Sequence, residues 1–184
     1  MKTIVFIASL ILSITIFSAE KAGIKVPDQM KLGDKELVLN GMGIRRATFL
    51  NIKVYIGSLY CPQKSKDAQA ILNMPNPKHI SMNFVRDVDK EDLQGGWKEG
   101  FEAAVPEAER KTMMSHLEAF NNTMEDIKKN QVILINFLDS GVEVSFNGKK
   151  HPLIGDQKFS KALLSIWFIN ARDEELRDEM LGKI

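Results

Sequence analysis

One cysteine in 184 residues, Cys61, leaves no partner for an intramolecular disulfide, so stability must come from packing. Charge of either sign is equally scarce in excess: 25 Lys and Arg stand against 24 Asp and Glu, which gives no basic field to hold a nucleic acid. The three histidines, His79, His116 and His151, are far apart and lack ligand spacing, so neither a metal nor a cofactor is expected. There is no G-x-S-x-G and no P-loop, and the sequence supplies no paired catalytic carboxylates beyond what reads as solvated helix faces at Glu107, Glu109, Glu118 and Glu125. From about residue 35 onward no linker, repeat or low-complexity stretch divides the chain. What remains is an ordinary globular composition, 44% hydrophobic and 27% charged, enough for one domain with a sizeable core.

Only the N-terminus carries a long apolar run. The first nineteen residues, MKTIVFIASLILSITIFSA, hold one charge, Lys2, and end in Ser18 and Ala19 ahead of Glu20. A basic start, a short apolar stretch and a small residue at the cut predict a secretory signal peptide over 1–19, cleaved after Ala19. The run falls short of the roughly 20 residues of a membrane span. The expected mature chain, 20–184, is therefore a periplasmic or secreted monomer without a membrane anchor.

Periodicity predicts strands over 35–41, 51–62 and 79–88, the last with Ile80, Met82 and Phe84 on one face. A short helix is expected over 66–73. Asp89 caps a predicted helix striped by Leu93, Trp97, Phe101 and Ala104, and Pro106 opens another striped by Met113, Leu117, Phe120 and Met124. Residues 131–155 read as three strands punctuated by Asp139-Ser140-Gly141 and Asn147-Gly148, the first of them apolar on both faces and so central. Asp156 caps an apolar helix over 159–169, and Asn170 a shorter one ending at Gly182. Segregated strands and helices predict an α+β domain, an antiparallel sheet with helices on one side.

The segment GMGIRRATFLNIKVYIG, 41–57, carries the candidate chemistry. Its G-x-G is not a dinucleotide fingerprint, because the sixth position is Arg46 and a strand follows where a helix is needed. If 41–60 is a hairpin turning near Leu50, opposed residues sum to about one hundred and Arg45 faces Tyr55. Alternation then sets Arg45, Tyr55, Ala47 and Lys53 on one face and Arg46 on the other; a shift of one residue would exchange the arginines. A guanidinium beside a phenol on an apolar wall forms a carboxylate-binding pair. The plainer reading, a surface arginine snorkelling from a strand edge, stays open on composition alone. Leu93, Trp97, Phe101, Leu163, Ile166 and Trp167 are candidate cleft walls or simply core. Gly95, Gly96 and Gly100 sit inside a helix at about 1 kcal/mol each relative to alanine, leaving room for a ligand or for a close helix-to-sheet contact.

Three blocks, GMGIRRATFLNIKVYIGSLYCP, SMNFVRDVDKEDLQGGWKEGF and FSKALLSIWFINARDEELRDEMLG, together resemble the chalcone isomerase-like family over roughly residues 30 to 182. The resemblance implies an open-faced β-sandwich, a large antiparallel sheet backed by helices with a ligand cleft between. In true chalcone isomerases an arginine and a lysine attract the substrate phenolate, while threonine and tyrosine hydroxyls polarise the ketone. Carried over by position, the arginine matches Arg45, but a threonine is replaced by Tyr55. The catalytic tyrosine falls near Leu93, an asparagine near Gly100 and a second threonine near Ile166. Arg45 with Tyr55 is instead similar to the pair with which the fatty-acid-binding branch of the fold holds a carboxylate. The reading is a non-catalytic exported protein holding a fatty acid or similar amphipathic carboxylate, with Arg45, Tyr55, Lys53, Leu93, Trp97 and Ile166 at the site. The alternative is an isomerase or intramolecular lyase acting on a phenolic or carboxylate substrate.

Overall fold

The computed structural model describes residues 18–47 and 50–184, so the predicted signal segment lies almost wholly outside the described residues. Seven strands form one antiparallel sheet in chain order: β3 (Gln29–Leu32), β4 (Lys35–Ala47), β5 (Ile52–Cys61), β6 (Lys78–Phe84), β7 (Val132–Leu138), β8 (Gly141–Phe146) and β9 (Lys149–Lys150). Each strand pairs with the next, so every connection is local. A separate hairpin, β1 (Ser18–Lys21) with β2 (Ile24–Pro27), precedes them. The sequence pattern did not predict strands before residue 35.

The sheet curls around α1 (Ala68–Asn73), α2 (Lys90–Ala104), α3 (Glu107–Asn121) and α4 (Gln157–Ser165), and α5 (Glu174–Met180) closes one edge. This is the expected α+β arrangement of an antiparallel sheet backed by helices. Alternation supplies the inner face: Ile80, Met82 and Phe84 of β6, Ile133, Ile135 and Phe137 of β7, and Val142, Val144 and Phe146 of β8 are all buried. The helices answer with Leu93, Trp97 and Phe101 from α2, Leu117 and Phe120 from α3, and Phe159 and Leu163 from α4. On the outer face the β1–β2 hairpin covers a smaller cluster built on Leu37, Leu39, Met42, Ile44, Ile56 and Tyr60.

Several boundaries differ from the expectation. β4 runs on through Ala47, because its two glycines and two arginines are accommodated in the strand. β7 lies inside the sheet as the fifth of seven strands, while β6 occupies the centre. The apolar helix stops at Ser165, and 166–169 continue as turns. The last helix is capped by Asp173, whose carboxylate accepts from the Leu176 amide; Asn170 instead adopts φ +47° in the preceding connection. An acidic cap followed by Glu174 and Glu175 suits the positive end of a helix better than an asparagine three residues upstream.

The G-x-G of β4 has a packing cause. β3 pairs only with Lys35–Val38, and α5 fills the edge it leaves open. A methyl group on Gly41 would lie 2.4 Å from the Glu179 carbonyl oxygen, and one on Gly43 would lie 2.7 Å from that of Leu176. Only glycine lets the helix backbone come this near. Acids from the α5 end of the chain satisfy outward-facing strand amides: Ile44 donates to Glu179 at 2.6 Å and Arg46 to Asp173 at 2.9 Å. An otherwise exposed sheet edge is thereby covered.

Candidate ligand site

The hairpin register sets Arg45 directly opposite Tyr55, as the sum of residue numbers predicts. A bulge opposite the Arg45–Arg46 step adds one residue, Val54, to β5, and Arg46 pairs with Lys53. The expected division of the two arginines holds, since Arg45 and Ala47 border the cavity and Arg46, which follows Met42 and Ile44 in alternation, does not; both nevertheless reach the acids of α5 and its cap. Arg45 lies 3.2 Å from Asp173, and Arg46 lies 3.2 Å from Glu175 and 3.8 Å from Glu179. Glu179 is itself buried and also binds Lys21 at 2.8 Å.

A cavity of about 690 Å³ opens between this end of the sheet and α2, α4 and the α4–α5 connection. Its wall includes Arg45 and Tyr55, Val54, Met82 and Phe84 from β5 and β6, Leu93, Trp97 and Gly100 from α2, and Ile166, Trp167 and Leu176. Five of the six expected site residues, Arg45, Tyr55, Leu93, Trp97 and Ile166, thus border one space. Lys53 does not: displaced by the bulge, it is exposed and off the wall. Asp173, also on the wall, escaped the sequence reading because the last helix was given the wrong cap; the Asp-x-x-Leu spacing with two acids following was the available signal.

Inside, polar groups are few and mostly donors. Tyr55 is buried, and its hydroxyl oxygen accepts from the Trp167 indole Nε1 at 3.2 Å. Among the described residues no acceptor takes the hydroxyl's own proton. Burial pushes this phenol up to about 12, with Arg45 and the Trp167 hydrogen bond pulling the other way, so at neutral pH it is a hydrogen-bond donor and not a base. The Trp97 indole Nε1 is buried with no partner among the described residues, its ring 5.4 Å from that of Trp167. Arg45 spends only Nη1, on Asp173 and on the Arg46 carbonyl, which leaves Nε and Nη2 as donors among the described residues.

Toward solvent the wall turns charged, with Arg86, Asp87, Asp92 and an ion pair between Arg172 and Glu99. Asn170 donates to the Ala103 carbonyl at 2.9 Å, so the α4–α5 connection is tied to the end of α2. The glycines of α2 divide by role. Methyl groups on Gly95 and Gly96 would meet nothing within 4 Å, while one on Gly100 would lie 2.6 Å from Ile166 Cγ2. The close contact at Gly100 is therefore with the end of α4 and not with the sheet. No group of His, Cys, Asp and Glu among the described residues is arranged to hold a metal ion, and no described helix is long and apolar enough to cross a membrane.

No curated protein matches the sequence. Among solved structures, a fatty-acid binding protein of Arabidopsis thaliana superposes with a TM-score of 0.67 at 17% identity, covering 91% of this chain and 97% of that one. Likeness at that identity establishes a shared fold. A family model described as chalcone isomerase-like matches residues 18–182, from the first described strand to the end of α5 and beyond, and the chain belongs to the chalcone isomerase-like family.

Proposed function

We propose that the cavity holds a fatty acid or a similar amphipathic carboxylate, with its head group on Arg45 and Tyr55, and that the protein is an exported binding protein and not an enzyme. One observation carries this reading: a buried tyrosine hydroxyl proton and two nitrogens of an arginine, all unspent among the described residues, face each other in a cavity lined inside by Val54, Met82, Phe84, Leu93 and Trp97 and charged toward solvent. A carboxylate accepts from both and lets its chain replace water along Leu93, Trp97 and Ile166. The volume of about 690 Å³ falls within the range of about 300–1,000 Å³ usual for small-molecule sites. The fatty-acid binding of the Arabidopsis protein on the same fold supports the ligand class. Against catalysis stand Leu93, Gly100 and Ile166, which offer no hydroxyl or amide side chain to the cavity, and a phenol pushed to about 12.

Export rests on the basic, apolar and small-residue order of residues 1–19. A cut after Ala19 would keep Lys21 on Glu179. N-terminal sequencing of the exported protein checks this, with Glu20 as the expected first residue.

A second reading is favoured by the Arg45–Asp173 pair: the arginine serves as a tie between β4 and the α5 cap in a protein without a ligand. Native mass spectrometry separates the two. Co-purified acyl species that disappear in Arg45→Ala and diminish in Tyr55→Phe support the binding reading. Protein without bound mass, and no uptake of added palmitate, supports the tie. Turnover of a chalcone that is lost in Tyr55→Phe would replace both with the isomerase.

A further inference from the structure

At the opposite end of the sheet lies a second cavity of about 340 Å³, between the turn after α1, the start of β6, the end of β7 and α4. It shares no lining residue with the first. Its floor holds Lys78, a lysine only 2% exposed, whose Nζ donates to the Met74 carbonyl at 2.5 Å and to Asn76 Oδ1 at 2.9 Å. An ammonium has three protons, and the third is given to no described acceptor. Nor does any carboxylate form an ion pair with it among the described residues; the acid on the wall, Asp139, is engaged by Asn76 and Gln157. Ser160 lies on the same wall, 1% exposed, with its hydroxyl buried and without a partner among the described residues.

A buried cation that reaches its nearest acid, Asp139, only through Asn76, and a buried hydroxyl with no partner among the described residues, are both costly alone. Bordering one cavity, they share a remedy: an acceptor carrying negative charge. Lys158 and Lys161 stand exposed at the same cavity and make its field positive despite Asp139, which favours entry of an anion. Much of the remaining wall is apolar, and there is one buried cation, so the site suits a singly charged group with a hydrophobic body better than a phosphate.

We propose that this cavity binds a small organic carboxylate, its charge on Lys78 Nζ and Ser160 Oγ and its body against Leu72, Met74, Phe137 and Leu164. The site is independent of the lipid reading, since the two cavities have separate walls.

Hexanoate titrated into the whole protein and followed by ¹H–¹⁵N NMR tests it, with inorganic phosphate as a parallel titrant. Saturable shifts are expected at the Asn76, Ser160 and Lys161 amides, with affinity in the millimolar range, about 4 kcal/mol. Ser160→Ala should weaken binding about three- to tenfold, and Lys78→Met should abolish it. Lys161→Gln, at the surface, should weaken it about two- to threefold and decides together with Ser160→Ala should Lys78→Met not fold. No saturable shift, shifts confined to the surroundings of Tyr55 and Trp97, shifts unchanged in Ser160→Ala, or phosphate binding as tightly as hexanoate would each overturn the proposal.

Discussion

Asp173→Asn separates a binding arginine from a structural one, because the two roles give opposite signs. The Asp173 carboxylate accepts from the Leu176 amide at 2.9 Å, the Arg46 amide at 2.9 Å and Arg45 Nη1 at 3.2 Å. Asparagine can keep the cap with its carbonyl oxygen, but its amide group then faces two donors. One backbone hydrogen bond and one ion pair are lost, so the fold should lose about 1–3 kcal/mol. A ligand carboxylate on the free edge of Arg45 would sit roughly 6 Å from Asp173, where two unit charges repel by about 3 kcal/mol at an effective dielectric of 20 and by under about 1 kcal/mol in water. Removing that repulsion should tighten binding of palmitate by about tenfold even as thermal stability falls. Fluorescence displacement of a bound fatty-acid probe measures the first quantity and calorimetry the second. Affinity that falls in step with stability, or stays constant, would refute the head-group role of Arg45.

The chain has two tyrosines, and burial pushes both Tyr55 and Tyr60 up to about 12. Absorbance at 295 nm should therefore stay flat past pH 10 in the native protein, while the unfolded chain titrates near 10. Because the folded values lie above the unfolded ones, the tyrosine contribution is whole below about pH 10 and is lost between about pH 10 and 12, while that of Cys61, also pushed to about 12, is lost from about pH 9 upward. Tyrosinate absorbance at pH 10 in folded protein would contradict the burial of both rings. Gly41→Ala must push α5 back by about 1 Å, which forfeits a quarter to a half of the packing of Leu176, Met180 and Leu181, or about 2–3 kcal/mol in denaturant unfolding. Gly96→Ala, which meets nothing within 4 Å, should stabilise by about 1 kcal/mol. Gly100→Ala gains the same helix term but must turn Ile166 aside at about 0.5–1.5 kcal/mol, and so should be near neutral in denaturant unfolding.

Local alternation and periodicity were enough to read most of the elements. Ile80, Met82 and Phe84 line one face because successive residues in a strand point oppositely, and Leu93, Trp97 and Phe101 share a stripe because a step of four residues is only slightly more than one helical turn. The pairing of Arg45 with Tyr55 followed from the same local geometry, since a short hairpin fixes its own register. Where alternation failed, the cause was a bulge: one extra residue on β5, Val54, opposite the Arg45–Arg46 step turned Lys53 out of the site, and nothing in the ATFLN turn announces it. The β1–β2 hairpin escapes local pattern reading because its strands are only four residues long, too short for alternation to show, and are held by the distant residues Leu37, Ile56 and Tyr60.

Legible in the amino acids alone were the order of strands and helices from residue 35 onward, the apolar faces that become the core, the facing of Arg45 and Tyr55 and the family resemblance, all of which depend on neighbours within a few residues or on motifs in order. Tertiary structure alone decided that the G-x-G exists for α5 to approach, that Arg45 is already bound to Asp173, 128 residues away, and that Lys78 and Ser160 share a second cavity. Such facts depend on which distant backbones come within a few ångströms, and that distance is set by the closing of the whole sheet around its helices, not by any residue's own preference.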